Sequence, residues 1–147
     1  MNIDVVILAA GQGSRMRSQK PKVLHAIGGK PMLQHVIDAA KALGDVNEYE
    51  IGVHIVVGHG ADQVKASLAS HERYSDCNYI EQHEQLGTAH AVLQVLPSLS
   101  SGSKTLILYG DVPLIKTETL QAMLEAVDDS AMAVLTATLN DATGYGR

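Results

Sequence analysis

Arg15, Lys22 and Asp111 are side chains of the types that do chemistry on phosphate. A guanidinium offers a planar fork of donors to a polyphosphate, and an ammonium offers a compact positive charge. A carboxylate can share a hard cation with phosphate oxygens. Arg15 lies in Leu8-Ala9-Ala10-Gly11-Gln12-Gly13-Ser14-Arg15-Met16, directly after an apolar run, and Lys22 follows Pro21. Glycines there let backbone N–H groups approach phosphate oxygens. Two better-known glycine loops do not fit. A dinucleotide loop needs a third glycine where Met16 stands and an acidic residue near Val57-Gly58-His59. A P-loop needs Gly-Lys-Ser/Thr, which Gly29-Lys30-Pro31 breaks. From the glycines alone, an ordinary turn with solvated basic residues competes evenly. Arg15 and Lys22 in so acidic a chain favour the anion site.

Gln82-His83-Glu84-Gln85-Leu86-Gly87-Thr88-Ala89-His90 suggests a different task. A glutamine amide carries a donor and an acceptor side by side, which suits a pyrimidine edge. Gly87 would let backbone approach a ring, and Thr88 is a candidate helix cap. On residue types alone, a plain loop before a capped helix is the stronger reading. Leu106-Ile107-Leu108-Tyr109-Gly110-Asp111-Val112-Pro113-Leu114 sets Asp111 at the tip of another apolar run, where it could hold Mg²⁺. An Asp turn before Pro113 is the even alternative. His54 and His59 would face opposite sides of a continued strand, which disfavours a histidine metal site. His83 and His90 read as structural or solvated, and Cys77 as a small buried residue.

These residues need elements to hold them. Asp4–Ala10 is a continuous apolar, β-branched run, the pattern of a central parallel strand. Further strands are expected at 51–57, 77–81, 105–109 and 131–139. Helices are expected at 31–43 (ended by Gly44), 61–70, 88–96 and 118–127. Residues 45–52 read as a surface loop. Strands alternating with helices at this spacing imply an α/β, Rossmann-like, doubly wound and mostly parallel sheet. Residues 1–147 read as one domain with no internal linker. Because the chain stops at Thr143-Gly144-Tyr145-Gly146-Arg147, just after a strand, the domain is expected to be truncated.

Composition narrows the partners. Net charge is −5, yet residues 1–34 hold Arg15, Arg17, Lys20, Lys22 and Lys30 against Asp4 alone. One basic corner on an acidic protein suits a small anion and argues against a nucleic-acid surface. The five aromatic residues are all Tyr, so the core must be aliphatic. No run approaches the roughly 18 apolar residues that span a bilayer, so no membrane partner is expected. A single cysteine, Cys77, fits a reducing, cytoplasmic location.

The stretch from Leu8 to Lys22 resembles the signature of the sugar-phosphate nucleotidyltransferases, in which two small residues precede G-x-G-T/S-R-M and a later P-K. Gln82–His90 is similar to the uracil-binding stretch of the N-acetylglucosamine-1-phosphate uridyltransferases. Tyr109-Gly110-Asp111-Val112-Pro113-Leu114 and Gly144-Tyr145-Gly146-Arg147 resemble two more of their motifs. The resemblance implies the nucleotide-diphospho-sugar transferase fold, with UTP and N-acetylglucosamine-1-phosphate as substrates. It implies that Leu8, Ala9, Ala10 and Gly11 cradle the nucleotide. Arg15 would contact the leaving phosphates, and Lys22 the α-phosphate. Gln82, Gly87 and Thr88 would contact the base, and Tyr109 and Gly110 would line the pocket. Asp111 would hold Mg²⁺, and Gly146 would approach the sugar. In bifunctional members a left-handed β-helix follows that carries acetyl transfer and a homotrimer contact, and it lies beyond Arg147. A transferase for another sugar or base, or a nucleotide-binding fragment without turnover, are the competing readings.

Overall fold

The computed structural model describes residues 1–11, 13, 18–128 and 131–144. Four parallel strands form the central sheet: β1 (Asn2–Leu8), β4 (Glu50–Val57), β5 (Asn78–Glu81) and β6 (Lys104–Tyr109). Their order is β5-β4-β1-β6, so the chain first steps one way from β1 and then crosses to its other side. That reversal between β1 and β6 opens a crevice at the carboxyl ends of the strands, where open α/β sheets bind ligands.

Alternation along β1 separates the two faces. Ile3, Val5 and Ile7 point toward α1 (Met32–Asn47), α2 (Ala61–Ala69) and α4 (Thr117–Glu125). In α1, Leu33, Val36, Ile37, Ala40 and Leu43 recur at helical spacing and are fully buried. Val6 faces the other way and packs with Val56, Ala91 and Val95, the last two on α3 (Thr88–Val95). Helices on both faces make the sheet doubly wound, as expected.

Several boundaries differ from the sequence reading. Helix α1 runs through Gly44 and stops at Glu48, whose φ of 56° and N–H to Gly44 O form the cap. Gly44 serves packing: a Cβ there would lie 3.0 Å from Tyr49 O. The expected loop at 45–52 shrinks to the short Glu48–Tyr49 connection between α1 and β4. Thr88 is the first helical residue of α3, and Gly87 occupies the cap position without a side-chain bond. A two-stranded hairpin, β2 (Ala26–Ile27) and β3 (Lys30–Pro31), turns at Gly28-Gly29, both with positive φ.

The strand expected at 131–139 does not form. The segment is irregular, and Met132, Val134, Leu135 and Leu139 are exposed. Its apolar, β-branched pattern suits a strand, but a strand needs a ladder partner, and among the described residues 131–139 pairs with none, although β6 stands at the edge of the sheet. Among the described residues, no helix is long and apolar enough to cross a membrane.

Candidate nucleotide-binding site

The crevice is a cleft of about 470 Å³, within the usual range for small-molecule sites. Leu8, Ala9, Ala10 and Gly11 form one wall as they leave β1. Ala9 N–H donates to Val56 O at 2.9 Å, and Gly110 N–H to Leu8 O at 3.0 Å. The ladder therefore continues past the strand ends and holds this wall rigid. Gly110 sits behind the lining, whereas Tyr109 and Asp111 on either side of it reach the cleft.

Lys22 enters from the short 3₁₀ turn Lys22–Leu24, anchored by buried Val23 and Leu24. Gly13 approaches it closely: a Cβ at Gly13, which has φ 59°, would lie 2.8 Å from Lys22 Cβ. The Lys22 ammonium donates to Asp111 Oδ2 at 2.6 Å. The side chains are 41% and 31% exposed, so the pair is worth at most about 1 kcal/mol. Incoming phosphate for the lysine and a cation for the carboxylate can displace so weak a contact.

A second wall follows β5. Gln82 N–H donates to Val57 O at 2.8 Å, and the Gln82 residue is buried. Its Nε2 donates to Gly87 O at 3.2 Å and lies 3.0 Å from His90 Nδ1. Gly87, with φ 98°, takes a backbone conformation that residues with a Cβ avoid. Thr88 and Gln85 complete this side.

Leu8, Ala9, Ala10, Gly11, Lys22, Gln82, Gly87, Thr88, Tyr109 and Asp111, all singled out from sequence, thus meet in one cleft. Arg15 and Gly146 lie outside the described residues. Gly13, Val23, Gln85 and Ala91 also line the cleft and were not singled out. Gly13 and Gln85 stood inside the motifs. Nothing local marks Val23 and Ala91, which join through packing.

The resemblance implies magnesium. Mg²⁺ sites typically use one or two carboxylates plus substrate phosphates, and Asp111 beside an open cleft fits that donor set. Among the described residues, no group of three or more His, Cys, Asp or Glu could hold a metal by protein ligands alone. His54 is committed elsewhere, with Nε2 2.9 Å from buried Asp4 Oδ1. Cys77 is buried, and burial pushes its thiol up to about 11, so it is an inert core residue.

The pattern of the MobA-like NTP transferase domain matches residues 5–145. The chain belongs to the MobA-like NTP transferase family. It is 54% identical to "Bifunctional protein GlmU" of Saccharophagus degradans over 99% of this chain and 30% of that protein. Identity to "Bifunctional protein GlmU" of Chromohalobacter salexigens is also 54%, over 100% of this chain and 30% of that one. The chain therefore spans about 30% of the length of these relatives. Among solved structures, a nucleotidyl transferase from Methanothermobacter thermautotroptrophicus superimposes with a TM-score of 0.70 at 26% identity. That match covers 87% of this chain and 59% of the other. Membership of this family accounts for the fold.

Proposed function

We propose that this chain carries the nucleotide-binding half of a uridylyltransfer site. The reaction joins UTP and N-acetylglucosamine-1-phosphate to give UDP-N-acetylglucosamine and pyrophosphate, a precursor step for cell-wall polymers. The observation that carries this reading is the meeting, in one cleft, of the Leu8–Gly11 wall, the Lys22–Asp111 pair and the Gln82–Thr88 wall.

The sugar phosphate is already an anion, so transfer to the α-phosphorus of UTP requires no protein nucleophile. What the protein supplies is position and charge. The Leu8–Gly11 backbone holds the nucleotide against the sheet edge. Lys22, released from Asp111, neutralises the α-phosphate, and Arg15 neutralises the departing pyrophosphate. Gln82 and the Gly87 backbone read the base. Asp111 holds Mg²⁺, which supplies further neutralisation of phosphate charge when bound.

Titration with UTP, CTP and ATP, with and without Mg²⁺, tests the binding half of this reading. UTP-selective, Mg²⁺-dependent binding is the expected result, and equal binding of all three nucleotides would sink the base assignment. Pyrophosphate release with N-acetylglucosamine-1-phosphate tests transfer. Binding without release would restrict the chain to nucleotide binding. In the longest active form, Arg15→Ala and Asp111→Ala should each lower turnover well beyond about twofold.

A further inference from the structure

Gln82 can read a base only if its amide has one orientation, because the flipped amide exchanges a donor for an acceptor. The neighbours decide which. Gly87 O can only accept, and it faces Gln82 Nε2 at 3.2 Å. His90 Nδ1 lies 3.0 Å from the same nitrogen. Two acceptors around Nε2 turn the amide nitrogen into the protein and leave Oε1 as the polar atom free for a ligand.

This arrangement demands one tautomer of His90, with the proton on Nε2 and the lone pair on Nδ1. The alternative network is internally inconsistent. A proton on Nδ1 would require Gln82 to present Oε1, which would set that oxygen against Gly87 O inside a residue only 4% exposed. Gln94 Nε2 lies 3.2 Å from His90 Nε2, so in the favoured tautomer that contact must give way. Gln94 is half-buried on α3; its Nε2 also donates to His90 O at 3.3 Å, and it can keep that bond while exchanging the ring contact for water. The buried amide has no such freedom, so the Gln82 side of the network prevails.

We propose that His90 is a positioning residue for nucleotide choice. By accepting from Gln82 Nε2, it aims Gln82 Oε1 at the base and so selects a pyrimidine with a ring N–H over one with a bare ring nitrogen. The proposal rests on the uridylyl reading and adds the residue that enforces it. Uracil presents an N–H at the ring position where cytosine presents a lone pair. An oxygen there attracts the first and repels the second.

The probes are UTP and CTP with Mg²⁺, titrated into the full chain and its variants. In His90→Ala the ratio of UTP to CTP affinity should fall by about tenfold, the worth of one well-made hydrogen bond. Asn places an oxygen near the Nδ1 position, whereas Gln places its amide near Nε2. His90→Asn should therefore restore the ratio and His90→Gln should not. That pair decides the matter even if the alanine variant fails to fold. A general loss of packing would weaken both nucleotides together and leave the ratio unchanged, which would overturn the proposal. If the parent chain itself does not prefer UTP, the uridylyl reading fails and this proposal with it. Imidazole ¹⁵N shifts give a ligand-free check: Nδ1-protonated His90 would overturn the proposal independently of nucleotide binding.

Discussion

Lys22 and Asp111 neutralise each other across 2.6 Å, although each is chemically suited to a different part of a bound nucleotide. An exposed ion pair of this kind adds little to folding, while an ammonium on a phosphate is a charge-assisted contact. The two roles separate in one substitution. Lys22→Ala is expected to weaken UTP binding by about tenfold or more, as loss of a charged hydrogen bond of about 1.5–3 kcal/mol implies. Its melting temperature should stay close to that of the parent chain. Calorimetric titration paired with a thermal melt checks both, and a large fall in melting temperature with unchanged affinity would refute the assignment. Lys22 was legible because its motif is local. Asp111 was legible too, but the pairing of the two was not, since the contact spans 89 positions of sequence.

At the scale of elements, the loop after β4 props up the Lys22 side of the cleft. Gly60 caps α2 with φ 78°, and a Cβ there would sit 2.5 Å from Pro21 Cγ. Pro21 is a rigid ring directly before Lys22, so it cannot yield as a flexible chain end would. Gly60→Ala should therefore cost about 1–3 kcal/mol of stability through backbone strain alone. It should also weaken triphosphate binding by displacing Lys22. Chemical denaturation and UTP titration of the variant measure the two effects, and an unaltered midpoint would show that the loop relaxes freely. In the sequence, Gly58-His59-Gly60 simply follows the strand expected at 51–57. Only its packing against Pro21 ties Gly60 to Lys22.

At the scale of the whole molecule, buried Asp4 joins segments far apart in sequence. Its carboxylate accepts from Ser100 N–H at 2.8 Å and from the Ser103 hydroxyl, and pairs with His54. Burial pushes this carboxyl up, but the bonds from Ser103, His54 and Ser100 outweigh it and hold it below its ordinary value. Asp38 is shifted the same way: burial raises it, and Lys30 and Arg73 more than offset that. A carboxyl depressed in the folded state contributes stability above its unfolded value, near 3.8, and loses it as pH falls through the folded value. Stability should thus be flat near neutrality and drop below about pH 4. Asp4→Asn should cost about 2 kcal/mol at pH 7 and make the acid drop shallower. Melting curves from pH 2 to 7 would test this, and parallel curves for parent and variant would contradict it.

The sequence by itself determined the alternation of strands and helices, because period-two and helical apolar patterns are local. It also singled out residues of the glycine loop, the Gln82 stretch and Asp111 that meet in one cleft, because each belongs to a short motif of chemically distinctive residues. It could not determine that 131–139 stays irregular, since strand formation depends on ladder bonds made to another segment as well as on apolar, β-branched residues. Nor could it show that Gly44 packs instead of capping, or that His90 faces Gln82, because both follow from distances between segments. Side-chain type is written in the chain. Which lone pair meets which hydrogen is decided only when the sheet brings the segments together.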